Sequence, residues 1–218
     1  VFDMTHAAVG PWGTMILASM GANVIKVETP GGDPIRQMKP RYQGLSTVYM
    51  HCNLGKKGMY LDLKSPQGKE TARTLLREAD VFAENLKLGA VTRLGLSYEE
   101  VSKINPRIVY GNYQGYGSSG PLKKRGSVDQ TANAFSGAVS VTGKKDGEGE
   151  FRATALHDLN AGSYVVISTL LGLLYRERTG MGVAIESPQL GASVGVQASR
   201  IAEFLTTGEN VPPMGSAC

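Results

Sequence analysis

The sequence predicts an α/β fold, with a mainly parallel sheet covered by helices on both faces. Two observations carry this. Short β-like runs alternate with helical patterns along most of the 218 residues, and strands alternating with helices build parallel sheets. The glycine content is also high, 28 residues, which supplies the tight turns and close backbone approaches such a chain needs.

In chain order, Val1–Thr5 reads as the end of a first strand, and Pro11 to Met20 as a helix stopped by Gly21. Asn23–Val27 is a compact apolar strand. Residues 29–50 read as irregular, with Pro30, Gly31, Gly32, Pro34 and Pro40. Met59–Leu63 is a strand. Ser65-Pro66 then opens a helix, with Ser at the N-cap and Pro at the first helical position, and Ala72, Leu75, Leu76 and Ala79 follow at helical spacing. Val81–Ala83 is a short strand. Ser97 and Glu100 form a capping box for a helix that ends before Pro106. Arg107–Tyr113 is a strand, followed by a glycine-rich loop and a helix near Asp129–Ser136. Residues 138–154 are polar and loop-like. Asp158 to Arg178 is a long, mostly apolar helix read as buried core, ending at Gly180. Val183–Glu186 is a strand, and Pro188 to Leu205 a final helix.

Composition narrows the class. Hydrophobic residues at 41% and charged residues at 19% are ordinary for a globular protein. The net charge is +4, with basic residues scattered apart from Lys56-Lys57 and Lys123-Lys124-Arg125. Either this is a solvated surface or it attracts an anionic ligand, most simply a phosphorylated cofactor. No nucleic-acid motif accompanies it. The two cysteines, Cys52 and Cys218, form no metal or disulfide pattern, which fits a reducing cytoplasm. His6, His51 and His157 are too far apart in sequence to suggest a metal cluster. The apolar stretch Leu159 to Tyr175 contains Asn160, Gly162, Ser163, Ser168 and Thr169, so no membrane span is expected. Both ends read as cut. The chain opens inside an apolar run and stops in Pro212-Pro213-Met214-Gly215, so a fragment of a longer protein is expected.

Gly115-Tyr116-Gly117-Ser118-Ser119-Gly120 matches G-x-G-x-x-G, but Pro121 and a charged stretch follow instead of a helix. A dinucleotide site needs that helix, so a loop whose backbone approaches a ligand is the better reading. Neither a nucleophile elbow nor a Walker motif is present. Asp158, in His157-Asp158-Leu159-Asn160-Ala161-Gly162, stands at the start of the longest apolar helix. It reads either as a helix cap or as a carboxylate nucleophile held ionised by helix amides. Its local sequence does not choose between them.

Ordered motifs along the whole chain resemble the family III CoA-transferases (CaiB/BaiF), the group that includes formyl-CoA:oxalate and carnitine CoA-transferases. They include Asp3-Met4-Thr5-His6 with Gly10-Pro11, Gly21 to Glu28, Leu61-Asp62-Leu63-Lys64 with Gly68-Lys69, Ala79-Asp80-Val81 with Glu84-Asn85, and Gly89 with Arg93-Leu94-Gly95. Asn105-Pro106-Arg107, Gly115-Tyr116-Gly117 with Gly120-Pro121, Asp158 with Gly162, and Arg178-Thr179-Gly180 complete the set. The resemblance implies a Rossmann-like large domain, a small domain missing from this chain, and an interlocked homodimer. Residues 1–206 would be the first segment of the large domain, and 207–218 the start of a linker.

The resemblance also implies that Asp158 attacks a donor acyl-CoA. An aspartyl anhydride forms, then an aspartyl-CoA thioester, and a carboxylic acid acceptor finally takes the CoA. CoA or acyl-CoA is a substrate here and not a resident cofactor, and no metal is implied. The CoA contacts implied are His6, Ala7, Ala8, Leu61, Lys64, Asn85, Leu86, Ala90 and Arg93, with Lys64 and Arg93 suited to phosphate. The chain departs from formyl-CoA transferase at Thr29, Gly126 and Val128. It also lacks at Val128 the histidine of the related racemases. His157 either packs locally or tunes Asp158. Trp12 is either core or a cation–π partner for a cationic acceptor. Two rival functions are a non-catalytic CoA-binding module, and CoA transfer coupled to a lyase step with His157 as a possible base.

Overall fold

The computed structural model describes residues 1–145 and 147–215. Cys218 and Asp146 lie outside these residues. Along the chain run β1 (Phe2–Asp3), α1 (Val9–Ser19), β2 (Ile25–Glu28), a 3-10 turn at Pro34–Gln37, β3 (Arg41–Tyr42), β4 (Leu45–Ser46), α2 (Thr47–Cys52) and β5 (Lys57–Tyr60). Then come α3 (Pro66–Glu78), β6 (Val81–Glu84), α4 (Ala90–Leu94), α5 (Tyr98–Ile104), β7 (Val109–Asn112), α6 (Asp129–Ser136) and a 3-10 turn at Ala138–Val141. The last elements are α7 (Leu156–Thr179), β8 (Val183–Glu186), α8 (Gln189–Val196) and α9 (Ala198–Thr207).

Six strands form a fully parallel sheet in the order β5-β2-β1-β6-β7-β8. Counting only these strands in chain order, this is 3-2-1-4-5-6, the doubly wound arrangement. Alternate residues of one strand serve opposite faces. Phe82 packs with Phe2, Tyr110, Leu76 of α3 and Val101 of α5, and its neighbour Ala83 packs with Tyr113, Val165 of α7 and Ala192 of α8. Phe2, Phe82 and Tyr110 meet edge to face, with centroids 5.5 and 4.9 Å apart, a favoured aromatic geometry.

Local rules explain most boundaries. Ser65 Oγ accepts the Gly68 amide at 3.0 Å with Pro66 at the first helical position. Glu100 returns the capping box, accepting the Ser97 amide at 3.1 Å. Gly180 ends α7 at φ 76°.

Four expectations need correction, and one element, α4, is not anticipated by the sequence. Residues 29–50 are not wholly irregular: they carry the β3–β4 hairpin and the start of α2, whose N-cap Ser46 accepts the Tyr49 amide at 3.3 Å. The strand expected at Met59–Leu63 is β5 at Lys57–Tyr60, because its register is set by pairing with Ile25–Glu28 and not by its own hydrophobicity. A short helix, α4, stands between the left-handed glycines 89 and 95. The final helix is two helices, broken at Gln197 (φ −104°, ψ 15°), whose Nε2 donates to Ser136 O at 2.7 Å. Finally, α7 begins at Leu156 and is not buried all round. Ala161, Val165 and Thr169 face the sheet, whereas Tyr164, Ile167, Leu170, Leu171, Leu174 and Tyr175 are exposed. The expected domain boundary at 206/207 falls at the end of α9, and residues 216–218 of the expected linker lie outside the described residues.

Candidate active site

The sheet order reverses between β1 and β6, and ligands of such folds bind beyond the carboxyl ends of strands at that point. The loops leaving these two strands are tied together. The His6 amide donates to Asn85 Oδ1 at 2.8 Å, and Asn85 Nδ2 returns a bond to His6 O at 2.8 Å. Ala7 adopts φ 62°, a left-handed conformation costly for a residue with a Cβ. Its amide is held by Asp33 Oδ1 at 3.2 Å. Burial pushes the His6 imidazole below its usual range, favouring its neutral form.

A paired ionic floor supports this turn. Lys26, fully buried, donates to Thr5 O and to Asp33 Oδ2, the latter at 2.9 Å. Glu28 takes Arg36 Nε and Nη2 at 2.8 Å each, Tyr49 OH at 2.7 Å and the Asp33 amide at 2.7 Å. Asp3 is bonded by Lys56 Nζ at 3.0 Å and by Thr14 Oγ1 at 2.7 Å. Burial alone would raise the Asp3 carboxyl, but Lys56 and Lys26 outweigh it and hold it at about 2.

α7 crosses α1 at close range. A Cβ on Gly162 would fall 2.5 Å from Trp12 Cδ1 and 2.8 Å from Val9 O, and one on Gly13 would fall 2.6 Å from Gly162 O. Only glycine permits this approach, and it brings the first turn of α7 beside the loop after β1. Three helix N-termini meet there. Asp129, the first residue of α6, accepts the His157 and Asp158 amides at 2.8 and 3.0 Å. Gln189, the first residue of α8, donates Nε2 to Asp158 Oδ1.

Asp129 therefore caps α7 from another helix, and Asp158 is relieved of that duty. This corrects the expectation that helix amides would hold Asp158 ionised. Burial raises its carboxyl first, the like charge of Asp129 adds to this, and the Gln189 bond opposes it, leaving the group at about 7. The sequence missed Asp129 and Gln189 as site residues. An acid or amide at a helix start is ordinarily read as serving its own helix, and no local signal shows a bond reaching back from residue 158 to 129 or forward to 189.

Two cavities flank the His6 turn and share His6 and Leu86 in their walls. The larger, about 630 Å³, includes Lys26, Thr29, Asp33 and Lys64 in its lining. The smaller, about 240 Å³, contains Asp158 and Gln189 with Ala7, Ala8 and Asn85. Of the expected residues, His6, Ala7, Ala8, Lys64, Asn85, Leu86 and Asp158 thus gather around these spaces. Leu61 packs against the hydrophobic core, Ala90 opens α4, and Arg93 is exposed on that helix; none of the three lines either cavity. Gly115, Tyr116 and Val128 line the smaller cavity. The glycine-rich loop is anchored by Ser118, whose Oγ donates to Glu186 Oε2 at 2.8 Å, and no helix opens at Gly120. His157 is buried, with no partner for Nδ1 among the described residues. Trp12 stacks on His51 (centroids 4.9 Å, 29°), and neither lines the two cavities. Among the described residues no helix is long and apolar enough to cross a membrane.

Comparisons with known proteins bear on the family and the fold. The model of "CoA-transferase family III" matches residues 1–217. Mouse (Mus musculus) succinyl-CoA:glutarate CoA-transferase is 36% identical over 219 residues, covering all of this chain and 50% of that protein. Acetyl-CoA:oxalate CoA-transferase of Acetobacter aceti is 39% identical over 188 residues, covering 85% of this chain and 48% of its own length. The crystal structure of a CaiB/BaiF family protein from Brucella suis superposes with a TM-score of 0.95 at 34% identity, covering 100% of this chain and 59% of the other. The chain thus spans about half the length of the curated relatives it matches. With a family match over nearly its whole length and the doubly wound sheet of its structural neighbour, the chain belongs to CoA-transferase family III.

Proposed function

We propose that the protein carrying this chain moves CoA from an acyl-CoA thioester to a carboxylic acid, with Asp158 as the covalent nucleophile. The observation that carries this is the relief of Asp158 from capping: Asp129 takes the α7 amides, and Asp158 lines a cavity shared with the His6 turn. A carboxylate titrating near 7 is about half ionised at neutral pH, and its ionised form is more basic than an ordinary aspartate, which favours nucleophilic attack.

In the first step an Asp158 oxygen bonds to the acyl carbon, the C–S bond breaks, and CoA leaves as thiolate. The thiolate then attacks the Asp158 carbonyl carbon of the mixed anhydride. The donor acid departs as carboxylate, leaving Asp158 as a CoA thioester. An acceptor carboxylate attacks that thioester to form a second anhydride and release thiolate. The thiolate finally attacks the acceptor carbonyl, giving acceptor-CoA and free Asp158. No proton or electron is consumed. Gln189 holds Asp158 Oδ1 and fixes the direction of attack. Water must be kept out, because hydrolysis of either anhydride would waste the thioester.

His6, Ala7, Ala8, Asn85 and Leu86 would position the CoA chain along the β1–β6 crevice. Lys64, exposed at the rim of the larger cavity, would meet its phosphates. Leu61, Ala90 and Arg93 would act from the edge of that surface. The interlocked dimer draws support from α7, whose seven exposed large apolar side chains are 40–60% accessible. A cytoplasmic location is proposed on the low cysteine count. Hydroxylamine should trap an aspartyl adduct on Asp158 when the full-length protein meets an acyl-CoA. Asp158→Ala should lower transfer by at least roughly 10³-fold, about 4 kcal/mol of barrier, while CoA still binds. Full activity in that variant would sink the reading.

A further inference from the structure

We propose that Asp33 is a positioning residue of the transfer reaction. It ties the wall of the larger cavity to the strained Ala7 turn beside Asp158, so that a nucleotide held in the larger cavity speeds the chemistry in the smaller one. The proposal rests on Asp158 as nucleophile and adds a coupling between the two cavities.

Two peptide groups, Thr5–His6 and His6–Ala7, shape the turn between β1 and α1, and all four of their polar atoms are held. Thr5 O accepts Lys26 Nζ, the His6 amide and carbonyl bond to Asn85, and the Ala7 amide donates to Asp33 Oδ1. Of these bonds, only the last joins a residue confined to the larger cavity, Asp33, with one confined to the smaller, Ala7. Ala7 is also the residue that needs holding. At φ 62° it is left-handed, and such strain persists only where the surroundings over-determine it. Asp33 is buried and anchored on every side. Its Oδ2 takes Lys26 at 2.9 Å, its Oδ1 takes the Ala7 and Ile35 amides at 3.2 and 3.1 Å, and its own amide donates to Glu28 at 2.7 Å. A ligand that packs against residues 29–34 therefore fixes the carboxylate that fixes Ala7.

At about 630 Å³ the larger cavity has the room of an ordinary small-molecule site, and Lys64 stands in its wall as a partner for phosphate. The nucleotide of CoA takes no part in bond making. Binding energy from such a remote part of a substrate can hold the reacting end in its productive geometry. The basic run Lys123-Lys124-Arg125 lines the smaller cavity beside Asp158 and offers the phosphates a competing place. A nucleotide bound there would act on Asp158 without passing through Asp33.

The test uses the full-length protein and compares an acyl-CoA donor with the matching acyl-phosphopantetheine, which lacks the adenosine bisphosphate. In the unaltered protein, kcat with the whole donor should exceed kcat with the truncated one roughly 10- to 100-fold, the range set by holding one strained residue. Saturating adenosine bisphosphate, added with the truncated donor, should recover most of that factor. Asp33→Asn supplies an acceptor oxygen that can face Ala7 or Lys26 but not both. It should lower kcat for the whole donor toward that of the truncated one, with little change in the truncated donor's kcat or in the Kd of adenosine bisphosphate. Ala7→Gly relieves the left-handed turn and leaves the ion pairs intact. It should narrow the same ratio from the other side, by raising kcat for the truncated donor, and it guards against a folding failure in Asp33→Asn. Equal kcat for the two donors in the unaltered protein, or an unchanged ratio in Ala7→Gly, overturns the proposal. So does an Asp33→Asn protein that loses the same factor with both donors, as a purely structural residue would, or one that changes only Kd. An Asp33→Asn protein that keeps the full ratio also overturns it and would assign the nucleotide to the basic run. A fully active Asp158→Ala protein would instead remove the underlying transferase reading, so the two failures are distinguishable.

Discussion

The floor beneath the β1 turn and the corner where three helices meet are both buried and both rich in carboxylates, yet they treat charge in opposite ways. In the floor, Asp3, Glu28 and Asp33 each have a cation within 3.0 Å. Asp3 and Glu28 are held at about 2, with burial outweighed in Asp3 by Lys56 and Lys26, and in Glu28 by the Arg36 and Tyr49 bonds. In the corner, Asp158 faces another carboxylate, Asp129, and rises to about 7. A carboxylate held at about 2 is a fixed anion that organises backbone and neighbours. A carboxylate near 7 stores unfavourable energy that chemistry or ligand binding can release. The contrast sets fixed, paired anions against a carboxylate that burial and a like charge hold in a less favourable state, the one the proposed function makes the nucleophile.

The largest effect should come from breaking the floor. Lys26→Met would leave Asp33 and the Thr5 carbonyl without their buried partner. Removing one member of a buried ion pair typically costs about 3–5 kcal/mol, so the denaturant midpoint should drop sharply at pH 7. A loss below ~1 kcal/mol would mean that Asp33 is satisfied by its backbone bonds alone, and the floor would lose its role as scaffold.

Much of this contrast is hidden in the sequence, for a physical reason. Punctuation is local, so Ser65-Pro66, the Ser97–Glu100 box and Gly180 mark their helices correctly. The parallel sheet follows from alternation, but its strand order does not. Neither do registers: β5 has no strong pattern of its own and is placed by β2. Ser46 caps α2 inside a segment whose prolines and glycines read as irregular. Asp158 itself was legible only through the resemblance. Its chemistry depends on Asp129 and Gln189, 29 and 31 residues away, and tertiary bonds of that length have no sequence signature. The basic run 123–125 was visible, but its position beside Asp158 was not.

A second prediction probes the corner. Asp158 is raised in the folded state from 3.8 to about 7. The folded form binds the proton more tightly, so the associated stability is fully present below pH 3.8 and is lost as pH rises through about 7. The ceiling is roughly 4 kcal/mol above that pH, and partial exposure with the Gln189 bond lowers it to about 1–3 kcal/mol. Asp158→Asn removes the charge and should stabilise the protein by that amount at pH 8, with little change at pH 4, while transfer is lost. Stabilisation equal at both pH values would mean that the ionised carboxylate is not strained. In the active protein, the pH profile of kcat/KM should climb with an apparent value near 7, since the ionised form attacks.

The smallest effect concerns a group that lies between the two regions. Glu84, at the end of β6, is fully buried, and burial raises its carboxyl to about 7. Its Oε2 accepts the Leu86 amide at 2.7 Å, while Oε1 has no partner among the described residues. It resembles Asp158 in its raised value but lies beneath the loop, and neither cavity includes it. The same sign applies: stability is retained below 4.5 and lost as pH rises through about 7. Glu84→Gln mimics the neutral acid and keeps an acceptor for Leu86. It should stabilise by about 1 kcal/mol at pH 8 and by almost nothing at pH 4, with transfer activity retained. If transfer falls as steeply as in Asp158→Asn, a raised carboxyl away from the cavities is also part of the reaction. The line between scaffold and reaction centre would then run through β6 and not between the ionic floor and the three-helix corner.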